Sequence, residues 1–283
     1  MKQLFIFFLF SVFFQNATAQ SLKLKPRKAD ALTGSEFAKS IADSSLALND
    51  REEMIYKEIK SGNIPDFLRQ LKKVSYTSKI NNQDYLIAFY SLPDYMAIGS
   101  DEDYIYIPMT PILAQRVANL VKCTLPTRKL VDLIYQNASV KLEPQPIPPT
   151  KAMTTVPIFI AHNELVKTQL IPYLVQHKKG ELTAGNKKDI VISNKIYTEK
   201  TPKVVIYGWH KLDGKAIQPL YNKHTNTWAD YSHGIRLIQN KIFVNGKKIT
   251  IAKVLADPIL NQLLSDEGAI EKAYYPITAY AVN

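Results

Sequence analysis

Apolar residues dominate positions 4–14 of MKQLFIFFLFSVFFQNATAQ, behind the basic Lys2 and ahead of the small-residue pattern Ala17-Thr18-Ala19. That is the arrangement of a secretory signal, and the run is well short of the roughly 20 residues needed to cross a bilayer. Residues 1–19 are therefore expected to be removed, leaving a secreted or periplasmic chain with no integral membrane segment. No cysteine follows the cleavage site to carry a lipid.

Residues 20–34 are polar and without period, the pattern of a flexible leader. Helical spacing begins in NDREEMIYKEIKSGN, where Asp50 is placed to cap and Glu53 follows three residues on. Met54, Ile55 and Ile59 make its stripe, and Gly62 ends it. Pro65 opens a second predicted helix with Phe67, Leu68 and Leu71 inward, which gives a helical hairpin. From residue 84 the texture changes to DYLIAFYSLPDYMAIGSDEDYIYIPM, which predicts strands over 84–91, 94–99 and 103–108. Its acidic turn, with Asp101 and Asp103, lacks the twelve-residue ligand loop of a calcium hand and reads as solvated. Thr110-Pro111 starts a helix over 112–122 and Thr127 caps another over 128–137, a second helix pair.

EPQPIPPT, residues 143–150, holds four prolines and predicts an extended connector. It is the best boundary in the chain, dividing 35–142 from 151–283, although so short a link suits a strap across one domain equally well. Beyond it lie a predicted helix over 158–176 with His162 and Glu164 near its start, and a basic loop, HKKGELTAGNKKD. Strands are predicted at IVIS, KVVIYGW and GIRLIQ, and a hairpin at KIFVNGKKITI through Asn245-Gly246. DPILNQLLSDEG predicts a last short helix capped by Asp257 and closed by Gly268. The pattern is α+β, a mixed or mainly antiparallel sheet flanked by helix pairs.

Charge adds a class of partner. With Lys2 removed, 35 basic residues face 25 acidic ones. That balance favours anionic envelope polymers, acidic glycans or membrane surfaces. Basic residues are spread through 20–29, 57–79, 178–203 and 241–253 as solvated surface, and no helix carries a base-reading stripe, so no nucleic-acid partner is expected. Cys123 is the sole cysteine, so stability rests on the core rather than on disulfides, and the thiol reads as buried.

Candidate chemistry concentrates in YGWHKLDGKAIQPLYNKHTNTWADYSHGIRLI, residues 207–238, which holds three of the five histidines and both tryptophans. A predicted strand over 203–207 delivers Gly208-Trp209-His210, and another over 234–239 leaves after Tyr231-Ser232-His233, with a polar loop between. If those strands pair, His210 and His233 face one another with Asp230, His224, Tyr221 and Tyr231 nearby. In one chemistry His210 and His233 are the catalytic acid and base, Asp230 orients them, Arg236 or Tyr231 stabilises negative charge, and water attacks. In another, His210, His224 and His233 with Asp230 hold a divalent metal such as zinc, although the spacing matches no compact zinc signature and a metal is not favoured. The cofactor is otherwise unknown. The aromatic residues can equally pack a loop over the sheet or stack on sugars.

Ser232 to Leu237, SHGIRL, resembles the Ser-His-Gly-Cys-Ile-Arg-Leu segment of L,D-transpeptidases, secreted enzymes that cross-link peptidoglycan and carry a second histidine upstream, as His210 stands here. The nucleophilic cysteine has no counterpart, since Ile235 follows Gly234 directly and Cys123 lies far off in sequence. The resemblance spans six residues and assigns no family. The expectation is a hydrolase of a cell-envelope or extracellular polymer, peptide amide or glycan, with His210, His233 and Asp230 at its centre. The alternative is a non-catalytic glycan- or peptide-binding envelope protein using Trp209, Tyr221, His224, Trp228, Tyr231 and Arg236.

Overall fold

A computed structural model describes residues 20–280; the expected signal, residues 1–19, lies outside them. The first helix, α1 (Gly34–Ser40), starts at a reciprocal capping box in which Thr33 accepts from the Glu36 amide and Glu36 from the Thr33 amide. Next come α2 (Leu48–Ser61), ended by Gly62 at φ 93°, and the antiparallel hairpin of β1 (Lys72–Ile80) and β2 (Gln83–Ser91). That hairpin turns through Asn81 and Asn82 at φ 48° and 63°, a conformation asparagine tolerates because its short side chain bonds locally. β3 (Ala97–Gly99) and β4 (Tyr104–Tyr106) pair around the acidic turn. α3 (Pro111–Leu120) and α4 (Arg128–Asn137) carry the Thr110 and Thr127 caps that the sequence predicts, with β5 (Cys123–Thr124) between them. The chain continues through β6 (Val140–Lys141), α5 (Val156–Leu170), β7 (Thr183–Ala184), β8 (Lys188–Ile190), β9 (Ile206–His210) and β10 (Ala216–Tyr221). β11 (His233–Gly234), β12 (Ile238–Gln239), β13 (Lys241–Val244), β14 (Lys247–Thr250) and α6 (Ile251–Ala256) follow.

The fold is α+β with mainly antiparallel sheets. A six-stranded sheet runs β14-β13-β2-β12-β5, with β1 also on β2. Its strands β1, β2 and β5 precede the Pro-rich segment and β12, β13 and β14 follow it, so the two sides share one sheet and one apolar core. A four-stranded sheet, β10-β9-β8-β11, carries most of the candidate chemistry, and only its β8–β11 contact is parallel. The core between these layers includes Leu113, Val117, Leu130, Ile190, Val205 and Ile238, all fully buried. Each such side chain contributes about 1.5–3 kcal/mol of transfer free energy. Residues 143–150 lie outside helix and strand and are tied to the second half of the chain at Ile147, which donates to the Tyr231 hydroxyl and accepts from it, at 2.8 and 3.0 Å. No helix of the described residues is long and apolar enough to cross a membrane.

Several local expectations change. Residues 20–34, expected as a flexible leader, are pinned by Leu22 to Arg69 and Leu71 to Gln20 backbone bonds, with Leu22 buried. The helix predicted after Pro65 is only a 3-10 turn, Asp66–Leu68, because the β-branched alternation of KKVSYTSKI recruits the chain into β1 instead. α2 begins at the uncapped Ala47 rather than at Asp50. The helix expected over 158–176 stops at Leu170 and continues as a 3-10 turn, Ile171–Val175, containing Pro172. The polar loop after His210 is a hairpin, β9 to β10, and the final short helix is a 3-10 turn, Leu260–Leu263, preceded by the unpredicted α6.

Candidate functional site

The candidate site is assembled around β8 and the segment leading into it. Residues 182–187, read from sequence as solvated basic loop, are buried throughout. They pass so close to the strand before the proline strap that a Cβ on Gly185, at φ 102°, would sit 2.1 Å from the Leu142 carbonyl oxygen. Only glycine permits that approach. The path delivers Lys187 and Asp189 into the interior with Lys188 between them.

Asp189 is buried against Tyr95, whose hydroxyl donates to its Oδ2 at 2.7 Å. Burial pushes this carboxyl up to about 6, against the pull of Arg236 and of the Tyr95 bond. Arg236 is itself buried, with its guanidinium 4.1 Å over the Tyr95 ring and its terminal nitrogens donating to the Leu92 and Thr183 carbonyls. Its Nε finds no partner. Arg236, Asp189 and Tyr95 meet His210 and Tyr135 at a crevice beside α4, closed so tightly that no water-sized sphere fits between them. His210 is stacked on Tyr135 with ring centroids 4.4 Å apart, and its Nε2 lies 2.8 Å from Asp132 Oδ1. The Tyr207 hydroxyl donates to the same carboxylate oxygen at 2.9 Å. Asp132 is the solvent side of this arrangement, at 34% side-chain exposure against 4% for His210.

On the other side of Tyr95, Lys187 Nζ lies 2.9 Å from His162 Nδ1 and donates to the Tyr231 carbonyl at 2.7 Å. Burial lowers the ammonium to about 7, with Asp230 and Asp94 opposing. Burial, then the adjacent Lys187, keeps His162 neutral far below its ordinary range. Asp94 is also buried and accepts from the Tyr106 hydroxyl at 2.5 Å, and desolvation raises it. A third group surrounds Asp230, whose Oδ1 accepts from the Ser232 amide and hydroxyl at 2.8 and 2.5 Å and whose Oδ2 accepts from Trp228 Nε1 at 3.3 Å. Burial acts to raise Asp230, but His233, Lys188 and the Ser232 bonds hold it well below the usual carboxylate range. His233 is buried, lies 3.9 Å from Asp230 and is lowered by burial to about 4.

Strand order departs from the pairing that the sequence suggests. β8 lies between β9 and β11, so His210 and His233 do not face one another across adjacent strands, and Asp230 attends His233 while Asp132 attends His210. His224 stacks on Trp228 at 4.7 Å and meets Tyr221 at 5.3 Å, on the Asp230 side of the sheet. Trp209, at φ 59°, packs near Tyr231 under the Lys188 ammonium, and Arg236 belongs to the Tyr95 and Asp189 group. The suggested metal set of His210, His224 and His233 does not converge; among the described residues no group of three His, Cys, Asp or Glu side chains does. Cys123 is buried and its thiol is pushed up by burial to about 12, the opposite of an activated nucleophile.

Asp132, Lys187, Asp189, Tyr95 and Asp94 were missed. Asp132 sits on an amphipathic helix where a carboxylate reads as surface, and Lys187 sits in a run of lysines. The one usable signal is that the charged Lys187-Lys188-Asp189 runs straight into the apolar IVIS. A second concavity of about 920 Å³ opens where the first turn of α2 meets Thr154 and the Thr227-Trp228-Ala229 stretch. Arg51 lies on its wall and donates to the Thr154 carbonyl at 3.3 Å.

No known protein family, curated protein or solved structure matches this chain. The chemistry has to be read from the site. Burying this many ionisable groups together is costly, and strongly perturbed groups of this kind cluster at functional sites as well as in structural ion-pair networks.

Proposed function

We propose that the protein is an extracytoplasmic hydrolase of an envelope or extracellular polymer, working by acid/base chemistry centred on His210. The observation that carries this reading is the 2.8 Å contact between His210 Nε2 and Asp132, set beside a second carboxyl, Asp189, whose proton is held to about 6. Asp132, accepting from Nε2, fixes the ring and its tautomer, which leaves Nδ1 as the nitrogen that takes a proton from an attacking water. Asp189 retains its proton close enough to neutrality to return one to a leaving group. Arg236, through its unpartnered Nε, stabilises negative charge developing between them. As it stands the crevice admits neither water nor substrate. Substrate entry requires Val131 and Tyr135 of α4 to yield.

The anionic polymer partner follows from the charge balance alone. A second reading, a non-catalytic glycan- or peptide-binding protein, draws on the open groove beside Trp228, where the indole stacked on His224 and the nearby Arg51 offer an aromatic face and a cation. Chromatographic product analysis with purified peptidoglycan fragments separates the two. Products made by the wild type and lost in His210→Gln support the hydrolase. Binding without products, unchanged in His210→Gln and weakened in Trp228→Ala, supports the binding module instead.

A further inference from the structure

The hairpin of β13 and β14, with Lys253 of α6 and Leu260 beyond it, forms a concave face of about 550 Å³ that no histidine lines. Its rim carries Lys241, Lys247, Lys248 and Lys253, all exposed, and no acidic residue lines it. The lysine ion pairs of the described residues lie elsewhere, at Lys79, Lys167, Lys203 and Lys223. Its floor is apolar, made by the half-buried Val244, Ile249 and Leu260. β14 is an edge strand, and lysines on an edge commonly serve to prevent strand pairing with another chain. That accounts for Lys247 and Lys248. It does not account for Lys241 and Lys253, which stand on other elements around the same floor.

We propose that this face docks on an anionic lipid surface, its four ammonium groups meeting lipid phosphates while the acyl chain of one lipid lifts out of the bilayer onto the recessed apolar floor. Charge complementarity selects the anion, and the apolar floor selects an amphiphile over a purely hydrophilic polyanion. Lysine suits both, since its stem lies along apolar surface while its ammonium reaches the phosphate plane. The role is additional to the chemistry at His210 and does not depend on it.

The test is co-sedimentation of the chain beginning at residue 20 with phosphatidylcholine vesicles, with and without phosphatidylglycerol. Binding is expected only to the anionic vesicles. Lys247→Gln/Lys248→Gln should weaken that partitioning roughly 30-fold, on the usual contribution of a lysine near a charged bilayer. Lys57→Gln/Lys60→Gln, the same charge change on exposed positions of α2, should leave it nearly unchanged. Val244→Ser should weaken vesicle binding without altering any response to soluble polyphosphate. Equal losses in the two double variants would reduce the effect to net charge and overturn the assignment. So would tight binding of polyphosphate with no vesicle binding, or no binding at all.

Discussion

Lys187→Met isolates the energetics of the buried cluster. The ammonium titrates at about 7 in the fold against 10.5 for an ordinary lysine, with burial as the cause. Between those two pH values the unfolded chain binds a proton that the folded chain does not, so stability rises with pH across this window and levels off below about 7. At ~1.4 kcal/mol per pH unit the full change is about 5 kcal/mol, of which about 3 kcal/mol falls between pH 6 and 9.5. Methionine fills a similar volume and does not titrate. It leaves His162 Nδ1 and the Tyr231 carbonyl without the lysine, at a cost of about 1–3 kcal/mol each. The variant should therefore be less stable than the wild type by about 2–6 kcal/mol at pH 9.5, and that deficit should shrink by about 3 kcal/mol on going to pH 6. Urea melts of both proteins at pH 6, 7.5 and 9.5 read this directly, because every other titrating group is common to the pair. A difference that stays constant across those three conditions refutes the argument that Lys187 is desolvated.

Gly234→Ala would place a Cβ 2.5 Å from Tyr95 Cδ1 and 2.7 Å from Lys187 Cβ, so it should cost about 3 kcal/mol or more in thermal or urea unfolding. Asp189 behaves oppositely to Lys187: its raised carboxyl keeps its proton in the fold, so stability falls as pH rises from 3.8 to about 6, by about 3 kcal/mol in all. Asp189→Asn should flatten that fall in a stability-against-pH series, and an unchanged slope would show that the carboxyl is solvated. Asp230→Ala strips the acceptor from the Ser232 amide, its hydroxyl and Trp228 Nε1, and should destabilise by about 2–5 kcal/mol while altering Trp228 fluorescence.

Local chemistry was legible where it acts locally. Thr110 with Pro111, Thr127, Gly62 and Asn245-Gly246 each set an element boundary within a few residues, and the structure places helix starts, a helix end and a hairpin turn there. The β1 strand was hidden because the apolar residues after Pro65 fit a helical stripe as well as a turn and strand; only pairing along the whole length of β2 decides between them. The site was half legible for a related reason. Aromatic and histidine density marked residues 207–238, but the partner of each histidine depends on strand order. The insertion of β8 between β9 and β11, which no local pattern encodes, gives His210 to Asp132 and seals His233 beside Asp230. Lys187 looked like surface because composition cannot register that its segment is threaded under Leu142 by Gly185.

In the proposed chemistry His210, held by Asp132, is the base, Asp189 is the acid, and His233 is structural. The most direct measurement is the pH dependence of kcat/KM on peptidoglycan fragments for the wild type, Asp132→Asn and His233→Gln. The wild-type profile is expected to fall as pH rises through about 6, where Asp189 gives up its proton, and Asp132→Asn, which takes the carboxylate from His210 Nε2, is expected to lower kcat/KM at least about tenfold. His233→Gln should keep the profile and lose only stability. A profile that survives Asp132→Asn and collapses in His233→Gln would contradict the account and move the chemistry to the Asp230 side of the sheet.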